Sequence, residues 1–185
     1  VKVSDVQKED TAEFVTNWET IYQGQYSSLD ISRYKENIDL WNSSYTNKPI
    51  SREGMLEWID KTVERIKQLN PKIILEIGSG AGLILFNIID QSQYYYATDF
   101  SENAISYATK VSHIIGCHNK TKFFCCSADA LPFNDLEKKY DTVVINSVIQ
   151  CFPNLKYLES LLSRLIANIN KSGQIFLGDI RDYRL

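Results

Sequence analysis

The chain has 185 residues, of which 20 are basic and 23 acidic, and its formal net charge is −3. This length suits a single folded domain, and a hydrophobic content of 44% excludes an intrinsically disordered chain. The sequence contains no apolar run of the ~18 residues that a membrane span requires, and its mild acidity argues against the basic face of a nucleic-acid binder. We therefore expect neither a membrane nor a nucleic acid as a partner.

The first 50 residues are predicted to form a helical and aromatic segment outside the main core. Residues 11–29 repeat large apolar side chains at helical spacing, which predicts an amphipathic helix. The stretch from Trp41 to Pro49 combines turn-forming and aromatic residues, which predicts a loop. This loop could be an aromatic cluster packed on the sheet or a lid over a ligand. A further helix is expected over 52–69, with Ser51 as its N-cap.

From Pro71 onward, short apolar strands alternate with helices. The predicted strands are 72–77, 94–99, 122–127, 140–146 and 174–178, and the predicted helices between them are 83–89, 101–111 and 155–169. This alternation predicts a Rossmann-like, doubly wound α/β fold with a mainly parallel sheet of about five strands. We expect one domain over 1–185, with a lid segment at 1–50 and an α/β core at 51–185.

The strongest local signal is a glycine-rich loop that follows the first predicted strand and opens a helix. Its pattern is E-x-G-x-G-x-G, formed by Glu76, Gly78, Gly80 and Gly82. The dinucleotide fingerprint requires a further glycine where this chain has Leu83, and no Gly-Lys-Ser/Thr sequence follows, which excludes a P-loop. A tight strand–helix turn without a ligand is the alternative interpretation.

Polar residues follow the next strands at the points where each strand ends. Asp99, after the second strand, can accept from both ribose hydroxyls of an adenosine ligand. Asp129 can accept from an adenine amino group, and the backbone N–H of Ala130 can meet a ring nitrogen. The alternatives are a carboxylate at a helix N-terminus for Asp99 and a turn-forming residue for Asp129. Asn146 follows the fourth strand, so all these residues belong to the edge where open α/β sheets bind ligands.

The order of these motifs over residues 71–182 resembles that of class I S-adenosylmethionine-dependent methyltransferases. The resemblance implies S-adenosylmethionine as cofactor and S-adenosylhomocysteine as product. It places Glu76 and the glycine loop near the methionine portion, Asp99 on the ribose and Asp129 on the adenine. The expected cofactor-binding residues are Glu76, Gly78, Ser79, Gly80, Gly82, Asp99, Phe100, Asp129, Ala130 and Asn146.

A narrower resemblance covers nearly the whole chain and points to the methyltransferase domains embedded in nonribosomal peptide synthetases. It is carried by Trp41-Asn42-Ser43-Ser44-Tyr45-Thr46, Pro49-Ile50, Met55-Leu56-Glu57-Trp58, Leu75-Glu76-Ile77-Gly78, Thr98-Asp99-Phe100-Ser101, Asn146-Ser147-Val148 and Gly178-Asp179-Ile180-Arg181. Those domains mostly methylate the α-nitrogen of an aminoacyl group tethered to a carrier protein. The resemblance therefore implies an aminoacyl carrier protein as partner.

Three residues are candidates for orienting the methyl acceptor: Tyr45, Asn146 and Asp179. Tyr45 is expected in the lid near the sulfonium, because aromatic faces attract cations. Asp179 and Arg181 could instead form a surface ion pair. Two other hypotheses for the function stay open: a free-standing small-molecule O- or N-methyltransferase, and a cofactor-binding fragment without turnover.

The chain ends just past the fifth predicted strand, where the methyltransferase fold normally adds two more. We therefore expect a fragment or a natural truncation of such a domain. The fifth strand carries consecutive apolar residues, and an unpaired edge of that kind is a template for pairing with another chain. This predicts a dimer through the exposed sheet edge, a swapped element, or aggregation that rises with concentration. The alternative is that the helix over 11–29 or the tail from Asp182 to Leu185 covers that edge.

The cysteine and histidine content predicts no metal site. None of the four cysteines forms a C-x-x-C pair, and His113 and His118 are the only histidines. The cysteines are interpreted as free thiols, which are typical of a reducing compartment, so a cytoplasmic location is expected.

Overall fold

The computed structural model describes residues 26, 29–38, 41 and 48–180. Most of the helix predicted over 11–29 therefore lies outside the described residues, as do Tyr45 and Arg181. Within that predicted helix, Tyr26 belongs to a 3₁₀ turn and Leu29 to no helix. Of the loop predicted from Trp41 to Pro49, only its first residue and its last two are described.

The described residues form a five-stranded sheet in which every neighbouring pair is parallel. The strands are β1 (Ile73–Ile77), β2 (Tyr94–Asp99), β3 (Thr121–Cys125), β4 (Thr142–Asn146) and β5 (Gln174–Gly178), in the spatial order β3-β2-β1-β4-β5. The chain runs outward from β1 to β3 and then crosses back to β4. This arrangement confirms the predicted doubly wound fold and places its topological switch point between β1 and β4.

The described residues contain four α-helices: α1 (Arg52–Gln68) precedes β1, and the connections between strands contain α2 (Leu85–Ile88), α3 (Glu102–Ile114) and α4 (Leu155–Asn168). The predicted cap of α1 is present, since Ser51 Oγ accepts from the Gly54 N–H. Ser101 caps α3 in the same way, because its Oγ accepts from the Ala104 N–H. The third strand ends two residues earlier than predicted, and α3 continues three residues further. Ser101 lies directly before α3, so its cap fixes where that helix begins.

The helix predicted over 83–89 is much shorter in the structure. Only α2 is α-helical there, and a 3₁₀ turn over Ile89–Gln91 follows it. Asn87 explains the change, because its side-chain amide donates to the Leu83 carbonyl that a regular helix would reserve for its own N–H. The Asn87 N–H instead donates to Ile84 O, one residue nearer along the chain.

The sheet separates two apolar clusters, and successive residues of β1 contribute to opposite sides. Ile74 packs with residues of α1, α2 and α3, whereas Leu75 and Ile77 pack with residues of α4. All five residues of β4 are buried, as predicted for a strand covered on both faces. The result is a three-layer core that fixes the carboxyl ends of the strands.

The segment 29–38 is tied to the helical layer formed by α2 and α3. Asn37 Nδ2 and the Tyr107 hydroxyl lie 2.5 Å apart, and the carbonyl of Asp30 accepts from both groups. The ring of Tyr34 meets that of Phe86 edge-on, with centroids 5.4 Å apart. This segment therefore covers one face of the core rather than extending from it.

Asp141 secures the opposite, amino-terminal end of the strands. Its carboxylate accepts from the backbone N–H groups of Lys72 and Ile73 and from the Thr142 hydroxyl. These bonds tie the start of β1 to the start of β4, so Asp141 has a structural role.

Candidate functional site

The glycine loop is built from three residues in the left-handed backbone region. Gly78, Gly80 and Gly82 have φ values of 69°, 52° and 85°. A Cβ at Gly78 would lie 2.5 Å from Val148 Cγ2, and one at Gly82 would lie 2.6 Å from the Phe86 ring. Both conformation and close approach therefore demand glycine at these positions.

Asp99 holds this loop against the end of β2. Its Oδ2 accepts from the Gly80 N–H at 2.8 Å, and its Oδ1 accepts from the Ser101 N–H at 2.9 Å. The side chain is 6% exposed, and burial raises its pKa, which these backbone donors partly oppose. Asp99 thus fills the helix N-terminal role given as the alternative, and its backbone donors include the N–H groups of Gly80 and Ser101.

Glu76 lies beneath the loop and is 3% exposed. Its Oε2 accepts from the Tyr95 hydroxyl at 2.9 Å, and its backbone carbonyl accepts from the Thr98 hydroxyl. Burial raises the pKa of this carboxyl to about 8, and the nearby Asp99 charge acts in the same direction. Glu76 therefore retains its proton at neutral pH.

Two buried polar atoms near the loop have no hydrogen-bond partner in the described part of the chain. They are Ser79 Oγ and Gln150 Oε1. Ser79 directly follows Gly78, and Gln150 lies two residues after Val148, whose side chain packs on Gly78. Since buried polar atoms are nearly always paired, these two are the kind of atom that a ligand or water would satisfy.

Asp129 is exposed and already engaged on one oxygen. Its Oδ1 accepts from the Ser127 hydroxyl at 2.6 Å and from the Tyr157 hydroxyl at 3.0 Å. Oδ2 has no partner among the described residues. The Ala130 N–H donates to Ser127 O at 3.0 Å, so it is used within the turn and gives no support to the predicted contact with a ring nitrogen. Phe100 is partly buried, directly after β2.

The structure brings together two of the three predicted acceptor residues. Asn146 ends β4, and its Nδ2 donates to Ser147 Oγ at 3.3 Å. Ser147 Oγ in turn lies 2.5 Å from Asp179 Oδ2, just beyond β5. The third predicted residue, Tyr45, lies outside the described residues.

Tyr26 is a site residue that the sequence patterns did not indicate. Its hydroxyl lies 3.1 Å from the position that a Cβ at Gly80 would occupy, so the ring covers the glycine loop. The predicted aromatic lid lies later in the chain. Its first residue, Trp41, packs against Trp58 of α1 with centroids 6.3 Å apart, which agrees with the alternative of an aromatic cluster.

Glu76 is expected to make the folded protein less stable as the pH rises. In the unfolded chain its carboxyl ionises near 4.5, whereas the folded protein keeps the proton up to a pKa of about 8. Between these values the folded state binds more protons. The free energy of unfolding therefore falls with rising pH, by up to about 1.4 kcal/mol per pH unit from this group.

Urea denaturation of the parent and of Glu76→Gln, at about pH 5.5 and about pH 8, measures this effect. Stability should decline more steeply in the parent than in the variant. Glu159→Gln is the matched control, because Glu159 is exposed and its variant should decline as the parent does. Equal declines in the parent and Glu76→Gln would contradict the assignment.

Comparison with known proteins shows the family to which this chain belongs. A family model described as a methyltransferase domain matches residues 75–175. Chondramide synthase CmdD of Chondromyces crocatus is 36% identical over 179 residues, which cover 94% of this chain and 4% of that protein. The enniatin synthase of Fusarium equiseti is 33% identical over 190 residues, which cover 98% of this chain and 6% of that protein. The chain thus spans less than a tenth of these relatives.

Solved structures share the fold at lower identity. Magnesium protoporphyrin IX methyltransferase of Synechocystis, with bound S-adenosylmethionine, superposes with a TM-score of 0.58 at 20% identity, covering 86% of this chain and 74% of that one. DhpI in complex with S-adenosylhomocysteine gives 0.59 at 17% identity, covering 83% and 69%. No helix of the described residues is long and apolar enough to cross a bilayer.

The family match covers more than half of the chain and includes the glycine loop, Asp99, Asp129 and Asn146. The predicted enzyme class and cofactor are confirmed at the level of the family. The chain belongs to the methyltransferase domain family, whose methyl donor is S-adenosylmethionine.

Proposed function

We propose that this domain transfers a methyl group to the α-amino nitrogen of an aminoacyl group tethered to a carrier protein in nonribosomal peptide synthesis. The observation that carries the proposal is the similarity along 94% of the chain to a segment of chondramide synthase. Further relatives at similar identity are described as nonribosomal peptide synthetases of Emericella nidulans and Penicillium thymicola.

The residues at the strand ends fit the cofactor. Glycines at positions 78, 80 and 82 give the loop its left-handed backbone, and Ser79 Oγ is buried without a partner in the described range. Glu76 and the loop would hold the methionine portion. Asp99 and Phe100 would hold the ribose side, and Asp129 Oδ2 the adenine. When bound, S-adenosylmethionine supplies a methyl group on a cationic sulfur, which needs no further activation.

The work left to the protein is to align the acceptor and exclude water. Asn146 Oδ1 and Asp179 Oδ1 are oxygen acceptors that suit the N–H groups of an amine. Oriented by them, the nitrogen presents its lone pair in one direction. Tyr45 would complete the lid beside the sulfonium, through the attraction of its ring for a cation.

We further infer one domain over residues 1–185 and a cytoplasmic location. The packing of segment 29–38 on α2 and α3 supports the single domain. None of the four cysteines, all of which lie in the described part of the chain, forms a disulfide, and this supports a reducing compartment.

One prediction concerns the carboxylate of Asp99, which we assign to the ribose of the cofactor. Asp99→Ala should weaken S-adenosylhomocysteine binding about 10- to 150-fold, because a hydrogen bond to a charged group contributes about 1.5–3 kcal/mol. Titration calorimetry on the folded proteins measures the change. Asp90→Ala is the matched control, since Asp90 is exposed and its loss changes the net charge equally. Parental affinity in Asp99→Ala would show that the carboxylate does not hold the ribose.

The second prediction concerns the acceptor. Incubated with S-adenosylmethionine, the chain should methylate an aminoacyl group loaded on a carrier protein, detected as methyl-labelled carrier. The unloaded carrier and the free amino acid are the controls. Turnover of free small molecules alone would favour a free-standing methyltransferase. Binding of S-adenosylhomocysteine without transfer to any acceptor would favour a domain that binds the cofactor without turnover.

The third prediction concerns self-association through β5. In the described residues β5 pairs with β4 alone, and Leu177 on β5 is 38% exposed. Such an edge is a template for a second chain, here a second copy, so sedimentation over a hundredfold concentration range should show a dimer. Leu177→Lys should weaken it, whereas Ile166→Lys, at an exposed position on α4, should not. A monomer at every concentration would contradict the prediction.

A further inference from the structure

Two residues beyond the carboxyl ends of β4 and β5 adopt a backbone conformation that favours glycine. Ser147 has a φ of 58° and Asp179 a φ of 52°. Asn70 is the only other non-glycine residue with a positive φ in the described part of the chain. For a residue with a Cβ this conformation is strained, and such strain is retained where the surrounding structure or the function requires that side chain.

The two strained residues contact each other through their side chains. Asn146 Nδ2 donates to Ser147 Oγ at 3.3 Å, and the Ser147 hydroxyl donates to Asp179 Oδ2 at 2.5 Å. The Ser147 N–H also donates to Gly178 O, so backbone and side chain of Ser147 both bind the end of β5. The Ser147 hydroxyl therefore links Asn146 to Asp179, since it accepts from the first and donates to the second.

The bonds leave two oxygen atoms available on the same cluster. Asn146 Oδ1 and Asp179 Oδ1 have no hydrogen-bond partner among the residues that the structure describes. Asn146 Oδ1 occupies the space that a Cβ at Gly178 would need, so Asn146 lies directly against the end of β5. One Nδ2 hydrogen of Asn146 is committed to Ser147, and Oδ1 is left as an acceptor for an approaching group.

The cluster is also fixed relative to the cofactor loop. Val148 directly follows Ser147, and its side chain packs where a Cβ at Gly78 would lie. The Gln150 side-chain amide donates to Ser147 O at 2.8 Å and stabilises the same turn. A change at Ser147 therefore alters the position of Asp179 relative to the glycine loop. Transfer reactions are sensitive to displacements of about 1 Å between the reacting groups.

We propose that Ser147 is a positioning residue: its hydroxyl holds the Asp179 carboxylate beside Asn146, so that Asp179 Oδ1 and Asn146 Oδ1 together accept the N–H groups of the methyl acceptor. The inference rests on the proposed function, because it assigns the acceptor to an amine. Glycine would adopt the same backbone conformation without strain. The serine is therefore explained by its hydroxyl rather than by the turn.

A purely structural role and the positioning role predict opposite results for Ser147→Gly. If the hydroxyl only joined two loops, its loss would lower the melting temperature and weaken cofactor binding together with transfer. If it positions Asp179, the glycine relieves backbone strain and leaves the cofactor loop intact, and only the acceptor is affected.

The experiment compares the parent with Ser147→Gly in three measurements. We expect S-adenosylhomocysteine affinity within twofold of the parent, an unchanged or higher melting temperature, and a kcat/KM for the aminoacyl carrier at least tenfold lower. Asp179→Asn should retain part of the activity, because asparagine tolerates the left-handed conformation and still offers an oxygen to Ser147. Asp179→Gly should lose as much as Ser147→Gly. Asn70→Gly, which relieves the same strain far from the cluster, is the matched control and should transfer normally.

A binding measurement separates this inference from the proposed function. The probe is a non-hydrolysable aminoacyl pantetheine amide, titrated into each protein with S-adenosylhomocysteine present. If the parent neither binds the probe nor methylates the carrier, the proposed function fails and the inference fails with it. If the parent binds the probe and Ser147→Gly binds and transfers equally well, only the role of Ser147 is wrong. Losses in cofactor affinity and melting temperature that match the loss of transfer would also overturn that role.

Discussion

The hydrogen bond from the Gly80 N–H to the Asp99 carboxylate is the contact on which the cofactor edge of this protein depends. Burying a carboxylate is unfavourable unless donors compensate for lost water, and here the donors are the backbone N–H groups of Gly80 and Ser101. The same carboxylate therefore fixes the loop after β1 to the beginning of α3. Gly80 makes this bond from a left-handed conformation, with a φ of 52°, and that conformation favours glycine.

The two ends of the sheet differ in how completely their polar groups are satisfied. At the amino end, Asp141 uses its carboxylate on three donors from β1 and β4 and is saturated by the fold. At the carboxyl end, Ser79 Oγ and Gln150 Oε1 remain buried and unpaired among the described residues, and Asp129 uses one oxygen only. The fold thus completes one end by itself and leaves the other to a ligand, which is the usual asymmetry of open parallel sheets.

Sequence patterns predicted those features that depend on local periodicity. The bounds of β2 and β5 agree with the prediction, because runs of β-branched and aromatic residues between turns identify a strand without reference to its partners. The sequence predicted a helix at α2 but not its shortness, because the competition between the Asn87 side chain and its own N–H is a matter of geometry. Partners distant in sequence were also missed, such as Tyr157 on Asp129 and Tyr95 on Glu76.

The distribution of left-handed residues separates the two halves of the proposed site. After β1 the chain uses Gly78, Gly80 and Gly82, where neighbouring groups occupy the space of each missing Cβ and only backbone is required.

After β4 and β5 it uses Ser147 and Asp179 in the same conformation and accepts the strain, although glycine would avoid it. Residues with side chains are expected in this conformation where their side-chain atoms are needed. Here the two side chains form a 2.5 Å hydrogen bond with each other. The left-handed glycines thus lie in the part of the proposed site that suits a cofactor. Retained side chains in strained backbone mark the half that suits an acceptor, and Val148 on Gly78 joins the two halves into one site.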